Sequence, residues 1–311
     1  MINKYPTVTV ILCSHKYVKY AEQQIISIKN QIKVNIKLVL SIDSSDEKVV
    51  KMWLDLIKIH FAKNDFQIVK GPQMGFASNF INTIVNLDSY SEYIAFSDHD
   101  DIWDHNKISE AIIHIKKFEY HDLPILYGSR TKYINEDNKF LMLSKAMKKP
   151  LVLQNALVQC FAGGNTMVFN NNLFSIIKKI GYVDVKSHDW WLYIVTTAVK
   201  GKVIFDEKSY TSYRQHKSNI SGGNIGIYKS LVRIRGLISG EFRAWNKNNI
   251  DYLIKNKEIA STDNIQIIND FVRVQNGNIL ERFFYFFKSG IYRQSLLGSI
   301  AIFIFALFKK I

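Results

Sequence analysis

Tyr93-Ile94-Ala95-Phe96-Ser97-Asp98-His99-Asp100-Asp101-Ile102-Trp103-Asp104 is the stretch on which the reading of this chain turns. An apolar run, Tyr93 to Phe96, ends abruptly in carboxylates. A short buried strand that ends this way delivers several acids to one place. A hard cation such as Mg²⁺ or Mn²⁺ takes such oxygen ligands and shares its remaining positions with phosphates. The plain alternative is a solvated acidic loop after a strand.

Upstream, Thr7 to Cys13 is a β-branched, almost wholly apolar run, the pattern of a strand buried on both faces. Lys37 to Ile42 repeats it and ends in Asp43-Ser44-Ser45-Asp46. Phe66 to Val69 predicts a third strand and Glu92 to Phe96 the fourth. Helical spacing fills the gaps over 18–31, 47–61, 76–87 and 107–118. Asp46 fits as a cap for the second helix, and Asp104 or Asn106 for the fourth. Strands alternating with helices predict βαβ units and an α/β fold on a mostly parallel, mixed sheet. Ligands of open sheets bind at the carboxyl ends of the strands. The polar turn Ser14-His15, Asp43, and Asp98 with Asp100 all fall on that edge, so the metal reading gains over the loop reading.

After Pro124 the pattern changes. Ile125 to Tyr127 predicts a short strand, and residues 129–150 read as an excursion toward a second substrate. The stretch Ala162 to Phe169 places Gly163 and Gly164 before a strand, where they serve a close backbone approach or a tight turn. His188-Asp189-Trp190-Trp191 opens a helix, and Lys202 to Phe205 predicts a strand followed by Tyr213-Arg214-Gln215-His216. The expected division is a catalytic domain over 1–223, with a nucleotide half to about 125 and an acceptor half over 126–223. A basic helical region then covers 224–311.

The 311 residues carry 41 Lys+Arg against 27 Asp+Glu, a net charge of +14, which suits an anionic partner: nucleic acid, an acidic membrane or a phosphorylated substrate. A nucleic-acid binder has no need of clustered carboxylates. Cys13 and Cys160 lack metal or redox spacing and read as free thiols of a reducing compartment. The first six residues lack the apolar core of a signal peptide, and no run reaches the roughly 20 apolar residues of a membrane span. From residue 281 onward aromatics crowd together, flanked by Arg282, Lys288, Arg293, Lys309 and Lys310. That combination suits an interfacial helix on an anionic membrane; the alternative is packing against the rest of the chain.

The motifs, taken in order, resemble the family 2 glycosyltransferases of the GT-A fold, and within them the bacterial rhamnosyltransferase-like branch. They are the stretch from Val8 to Tyr17, Ser41 to Asp46, Gly75 to Phe80, Phe96 to Trp103, Gly164 to Met167, His188 to Trp191, and Tyr213 to His216 with Asn219. The resemblance covers about residues 5 to 225. It implies an inverting, metal-dependent transferase that takes a nucleotide-diphosphate sugar donor. It puts Asp98 near the ribose or metal and Asp100 on the metal. Asp43 holds the base, Ser14 and His15 contact the nucleotide, and Asn79, in the motif after the third strand, joins the residues that bind the nucleotide sugar. Asp189 matches the catalytic base, and Gly164 with Asn165 the acceptor-side loop. Ser44-Ser45 departs from the Asp-Gly-Ser wording usual there, and His15-Lys16 from the common Tyr-Asn.

Chemistry supports a split site. A leaving diphosphate needs its charge neutralised, and an acceptor hydroxyl needs a base on the opposite face of the sugar. Asp100 and Asp189 are such a separated pair; the plain reading of Asp189 is an N-cap. Arg214 suits bidentate diphosphate contacts, and His216 completes a metal shell, holds diphosphate or is structural. Trp190 and Trp191 either line the sugar or acceptor pocket or join the core. The expected donor is dTDP-rhamnose, with a UDP-hexose or UDP-N-acetylhexosamine as the alternative. The expected acceptor is a glycan or glycolipid of a growing surface polysaccharide such as O-antigen or capsule. The expected location is the cytoplasmic face of a bacterial inner membrane.

Overall fold

The computed structural model describes residues 5–16, 19–88, 91–119, 122–216 and 239–311. Asn219, His121, the Ser221-Gly222-Gly223 turn and the expected boundary at 223/224 lie outside the described residues. The chain divides into two compact units. The first comprises Met1–Ala146, Ala162–Val183 and Ile204–Gly222; the second comprises Met147–Phe161, Asp184–Val203 and Gly223–Ile311.

The first unit is an α/β fold on a nine-stranded mixed sheet. Its parallel half is β1 (Thr7–Ser14), β2 (Asn35–Ile42), β3 (Phe66–Lys70) and β4 (Tyr93–Ser97), in the order β3-β2-β1-β4. Its other half is antiparallel: β5 (Ile102–Trp103), β6 (Ile125–Ile134), β7 (Phe140–Leu143), β8 (Val168–Asn170) and β9 (Lys202–Arg214). The apolar runs behave as the sequence predicts. Seven of the eight residues of β1 are buried, because the strand is central and covered on both faces. Val8, Val10, Leu12, Leu38 and Leu40 share one core with α1 (Ala21–Lys29), α2 (Glu47–His60) and α4 (Lys107–Lys116). On the other face Phe96 sits between Phe80 of α3 (Phe76–Val85) and Phe169, at ring distances of 5.0 and 5.3 Å. Fully burying a side chain of this size contributes about 1.5–3 kcal/mol, so the two layers dominate the unit's stability.

Register fixes what the sheet edge presents. Ser14 pairs with Ile42, Ile42 with Lys70, and Leu12 with Ser97. The chain therefore leaves β1, β2, β3 and β4 on the same side, at His15, Asp43, Gly71 and Asp98. Asp46 caps α2, its carboxylate accepting the Lys48 N–H at 2.9 Å. The N-cap position of α4 is Asn106, and no side chain caps that helix.

The second unit is helical. It holds α5 (Leu153–Ala156), α7 (His188–Ala198), α8 (Glu241–Lys255), α9 (Thr262–Asn276), α10 (Ile279–Ser289) and α11 (Leu296–Leu307); α6 (Asn171–Ile180) belongs to the first unit. Ten of the eleven residues of α7 are buried. Its last carbonyls, which have no partner inside the helix, are met from outside. Asn264 Nδ2 donates to the carbonyls of Thr197 and Ala198, both at 2.9 Å, and Ser261 N–H donates to Ala198 at 3.1 Å. Among the described residues no helix is long and apolar enough to cross a membrane.

Candidate active site

One end of the sheet edge is built around Asp43. This residue is buried, and its carboxylate accepts the Gln73 N–H in a short hydrogen bond. Its carbonyl lies 2.9 Å from His15 Nδ1, and its N–H donates to Ser14 O at 2.7 Å. A carbonyl can only accept, so His15 carries its proton on Nδ1 in this arrangement. Gly71 lets the two strand ends close. A Cβ there would stand 2.7 Å from Asp43 Cα and 2.5 Å from Oδ1. Ser14 Oγ is buried beside them without a protein partner, a polar atom left over at the edge where a ligand would lie. Asn79 is buried in α3 and accepts the Ser41 hydroxyl at 2.6 Å, which ties that helix to the end of β2.

The acidic turn is the better organised part. Asp100 Oδ2 faces His216 Nε2 at 2.7 Å, and both side chains are nearly buried. Asp101 is fully buried. It accepts Asn165 Nδ2 at 2.5 Å and the Arg214 N–H at 3.3 Å. Burial pushes its carboxyl well up, and the charges of Asp100 and Asp98 push the same way. Asp101 thus orients the turn and does not face a ligand. His99, between the two expected donor ligands, is held below the usual histidine range by burial and stands edge-on to Trp53 at 6.2 Å.

Arg214 has no exposed surface. Its Nε donates to the Asp100 carbonyl at 3.2 Å, one terminal nitrogen to Glu136 O and Asn138 Oδ1, and the other to Gln23 Oε1 at 2.7 Å. The guanidinium also covers the Tyr20 ring at 4.0 Å. Tyr20 donates to Glu136 at 2.6 Å, and its ring lies 5.8 Å from that of His216. In this arrangement the guanidinium braces the turn that holds Asp100. Lys107 is the residue that sequence reasoning misses. It opens α4, yet its ammonium is buried over the Trp103 ring at 3.6 Å with no hydrogen-bond partner. Burial pulls it down to about 7, against the opposing charge of Asp101.

Asp100 and His216 are a donor set that fits Mg²⁺ or Mn²⁺ when the remaining ligands are diphosphate oxygens and water. Among the described residues no group of three or more His, Cys, Asp or Glu converges to hold a metal by protein ligands alone.

In the second unit Asp189 lies in the first turn of α7. It accepts the Trp190 N–H at 2.7 Å and, in a short bond, the Ser187 hydroxyl. These two donors fix the direction in which the Asp189 carboxylate points. His188 is buried and kept neutral by desolvation, pulled down to about 4. Both tryptophans are buried. Trp190 donates to Ala156 O at 2.6 Å and stacks on Phe242 at 5.7 Å, while Trp191 meets Tyr252 edge-on at 6.3 Å. Gly164 and Asn165 form a buried 3₁₀ turn in the first unit, beneath the acidic turn.

A parallel half-sheet with a buried aspartate at one strand end and an Asp-X-Asp turn at another is the arrangement of a GT-A fold. The chain matches the family described as Glycosyl transferase family 2 over residues 9–179, just over half its length, and belongs to that family. It is 26% identical over 273 residues to the dTDP-rhamnosyl transferase RfbG of Shigella flexneri, covering 83% of this chain and 85% of that one. It is similar in fold to S. aureus TarS 1-349 in complex with UDP-GlcNAc. The TM-score is 0.53 at 14% identity, over 92% of this chain and 93% of that one. For the UDP complex of the same enzyme the chain spans 65% of its length, with a TM-score of 0.52 at 14% identity over 78% of this chain. GalNAc-T7 with UDP, GalNAc and Mn²⁺ has a TM-score of 0.52 at 15% identity, over 77% of this chain and 50% of that one. Such remote structural likeness establishes the GT-A fold and nothing finer.

Proposed function

We propose that the chain transfers a sugar, with inversion, from a pyrimidine nucleotide-diphosphate donor to a hydroxyl of a glycan or glycolipid acceptor. The observation that carries this reading is the preset sheet edge, with Asp43 locked at the end of β2 and Asp100 facing His216. The Asp43 carboxylate accepts one N–H in the protein and has lone pairs left for the imide N–H of uracil or thymine. Ser14 and His15 border the same place, and Asn79 holds α3 against it. Asp98 meets the ribose side of the nucleotide. Asp100 and His216 would hold a divalent ion together with the diphosphate, and such an ion would supply charge neutralisation for the leaving group. Arg214 acts on the diphosphate end by holding the Asp100 turn in place. Asp189 takes the proton of the acceptor hydroxyl as that oxygen attacks the sugar carbon and the bond to diphosphate breaks. His188, neutral beside it, adds no competing positive charge.

For the donor, a relative at 26% identity is too remote to carry rhamnose over to this chain. UDP-hexoses and UDP-N-acetylhexosamines therefore stand beside dTDP-rhamnose in the test. The experiment is a thermal-shift panel of UDP-glucose, UDP-galactose, UDP-GlcNAc, dTDP-rhamnose and a purine nucleotide sugar, each with and without Mn²⁺. A ligand that binds the native state raises its melting temperature, by about 2.7 kcal/mol of stabilisation at a hundredfold excess over Kd. A Mn²⁺-enhanced shift confined to pyrimidine donors is the expected result. A larger shift with the purine donor, or none with any donor, would overturn the reading.

A further inference from the structure

We propose that α10 and α11, together with the Lys148-Lys149 loop, form a docking face for an anionic lipid surface. The proposal concerns the second unit alone and stands whether or not the transferase reading holds.

The first observation is the direction in which the apolar residues point. Along α11 and its C-cap, Leu296, Ile300, Ile304 and Phe308 recur every four residues, and all four are exposed. Leu297 beside them is 80% exposed. On α10, Leu280, Phe284 and Phe287, four and then three residues apart, are also exposed, Leu280 at 78%. A helix surface that only packed inward would hide this stripe. Phe287 also reaches the seam between the helices, and the other seam contacts come from residues off the stripe. Phe303 of α11 lies against Phe286 and Phe287 of α10 at ring distances of 5.0 and 5.4 Å, and Ile302 and Ala306 are buried. Two helices thus share a seam and leave their remaining apolar faces outside.

The second observation is charge. Residues 279–311 contain five Lys or Arg and a single acid, Glu281. That acid is engaged. It accepts the Asn278 N–H at 2.9 Å as half of a capping box and pairs with Arg273 at 3.4 Å. The loop at 147–150 adds to the basic side. The N–H groups of Lys148 and Lys149 both donate to Gln294 Oε1, at 2.9 and 2.8 Å, and the Tyr292 hydroxyl donates to Pro150 O at 2.6 Å. Lys148 and Lys149 are thereby fixed next to Arg293, at the start of α11.

These features choose the occupant. A second copy of the chain meeting this face across a twofold axis would set like charges against like, with no free acid to answer them. An anionic bilayer answers the charge with its headgroups and the apolar stripe with its acyl chains. At about 1.5 Å per residue the twelve residues of α11 reach about 18 Å, well short of the roughly 30 Å hydrocarbon core. The helix therefore lies in the interface and does not cross it.

The test is co-sedimentation of the full chain with vesicles of phosphatidylcholine alone and with phosphatidylglycerol added, at low and high salt. Binding only to the anionic vesicles, weakened by salt, is expected. Lys309→Gln with Lys310→Gln lowers the partition constant about 30-fold, at about fivefold per charge. Leu297→Glu, and separately Leu280→Glu, lowers it at least about tenfold. Circular dichroism on both variants confirms folding, and the two helices provide independent versions of the test. Equal binding to neutral vesicles, or no binding to either, overturns the proposal. So does a concentration-dependent dimer, seen by sedimentation velocity, that Leu297→Glu dissolves while vesicle binding is absent.

Discussion

Replacing Gly71 by alanine isolates the proposed base-holding carboxylate from everything else in the site. Gly71 does not need the left-handed backbone that only glycine adopts easily, so the effect is purely steric. The new Cβ would stand 2.5 Å from Asp43 Oδ1, 2.7 Å from its Cα and 2.8 Å from its Cβ. Carbon atoms rest at about 3.5–4.0 Å, so the ends of β2 and β3 must part by roughly 1 Å. Overpacking of this kind costs about 1–3 kcal/mol of stability. The displaced carboxylate also loses its hydrogen bond to the base. A hydrogen bond to a charged group contributes about 1.5–3 kcal/mol, or about 10- to 150-fold in Kd. Calorimetric titration of UDP and dTDP into Gly71→Ala, beside an Asp43→Asn control, measures this directly. Urea unfolding measures the stability term separately. A nucleotide Kd within twofold of the unsubstituted protein, together with unchanged stability, would refute the reasoning.

Other substitutions separate the remaining roles. Asp189→Asn should lower kcat by about 10²–10⁴ while leaving donor binding intact, as the loss of a general base requires; near-normal turnover removes Asp189 from the chemistry. His216→Ala should raise the Mn²⁺ concentration needed for half-maximal donor binding, and EDTA should suppress transfer until metal is restored; unchanged metal dependence rejects the Asp100–His216 donor set. Lys107 bears on stability and pH. Its folded-state proton leaves at about 7, whereas in an unfolded chain it is held to about 10.4. Between those values the unfolded chain binds more protons, so stability rises with pH, and Lys107→Met should flatten that rise. Urea melts from pH 6.5 to 9.5 give the slope, and an unaltered slope in the variant refutes the assignment. Arg214→Gln should weaken metal-supported donor binding without touching metal-free UDP binding. Equal loss of both would instead make Arg214 a direct nucleotide ligand.

Strands β1, β2 and β4 of the parallel half are legible because they are largely buried on both faces. Thr7 to Cys13 and Lys37 to Ile42 carry little but apolar residues, and no other element suits them. Asp46 is legible for a local reason, since a cap acts within its own turn. The antiparallel half hides better. Strand β9 contains Glu207 and Lys208, which are exposed, and Asp206, which is buried but accepts the Tyr127 hydroxyl, so only Lys202 to Phe205 shows apolar character in sequence. Strand β5 is two residues long and exists only through its pairing with β9. Arg214 invites a phosphate role because nothing near it in sequence can satisfy a guanidinium. Its acceptors come from Gln23, Asp100, Glu136 and Asn138, remote in sequence. Lys107 looks like an ordinary first residue of a helix for the same reason. The carboxylates that matter are visible as letters; which of them face outward is decided by partners that only the fold supplies.

The bond between Arg214 and the acidic turn has a bearing on biosynthesis. Asp100 and His216 are 116 positions apart, and Asp101 and the Arg214 N–H 113. During translation the strands that carry Asp43 and Asp98 emerge early and can pair among themselves. The turn between Asp98 and Asp101 stays unbraced until β9 has been made and closes a long loop. Such distant closures come late in folding. A nascent chain thus completes the strand end around Asp43 before the turn that carries Asp98 and Asp100, and the proposed metal-holding arrangement waits for the last strand of the sheet to be synthesised.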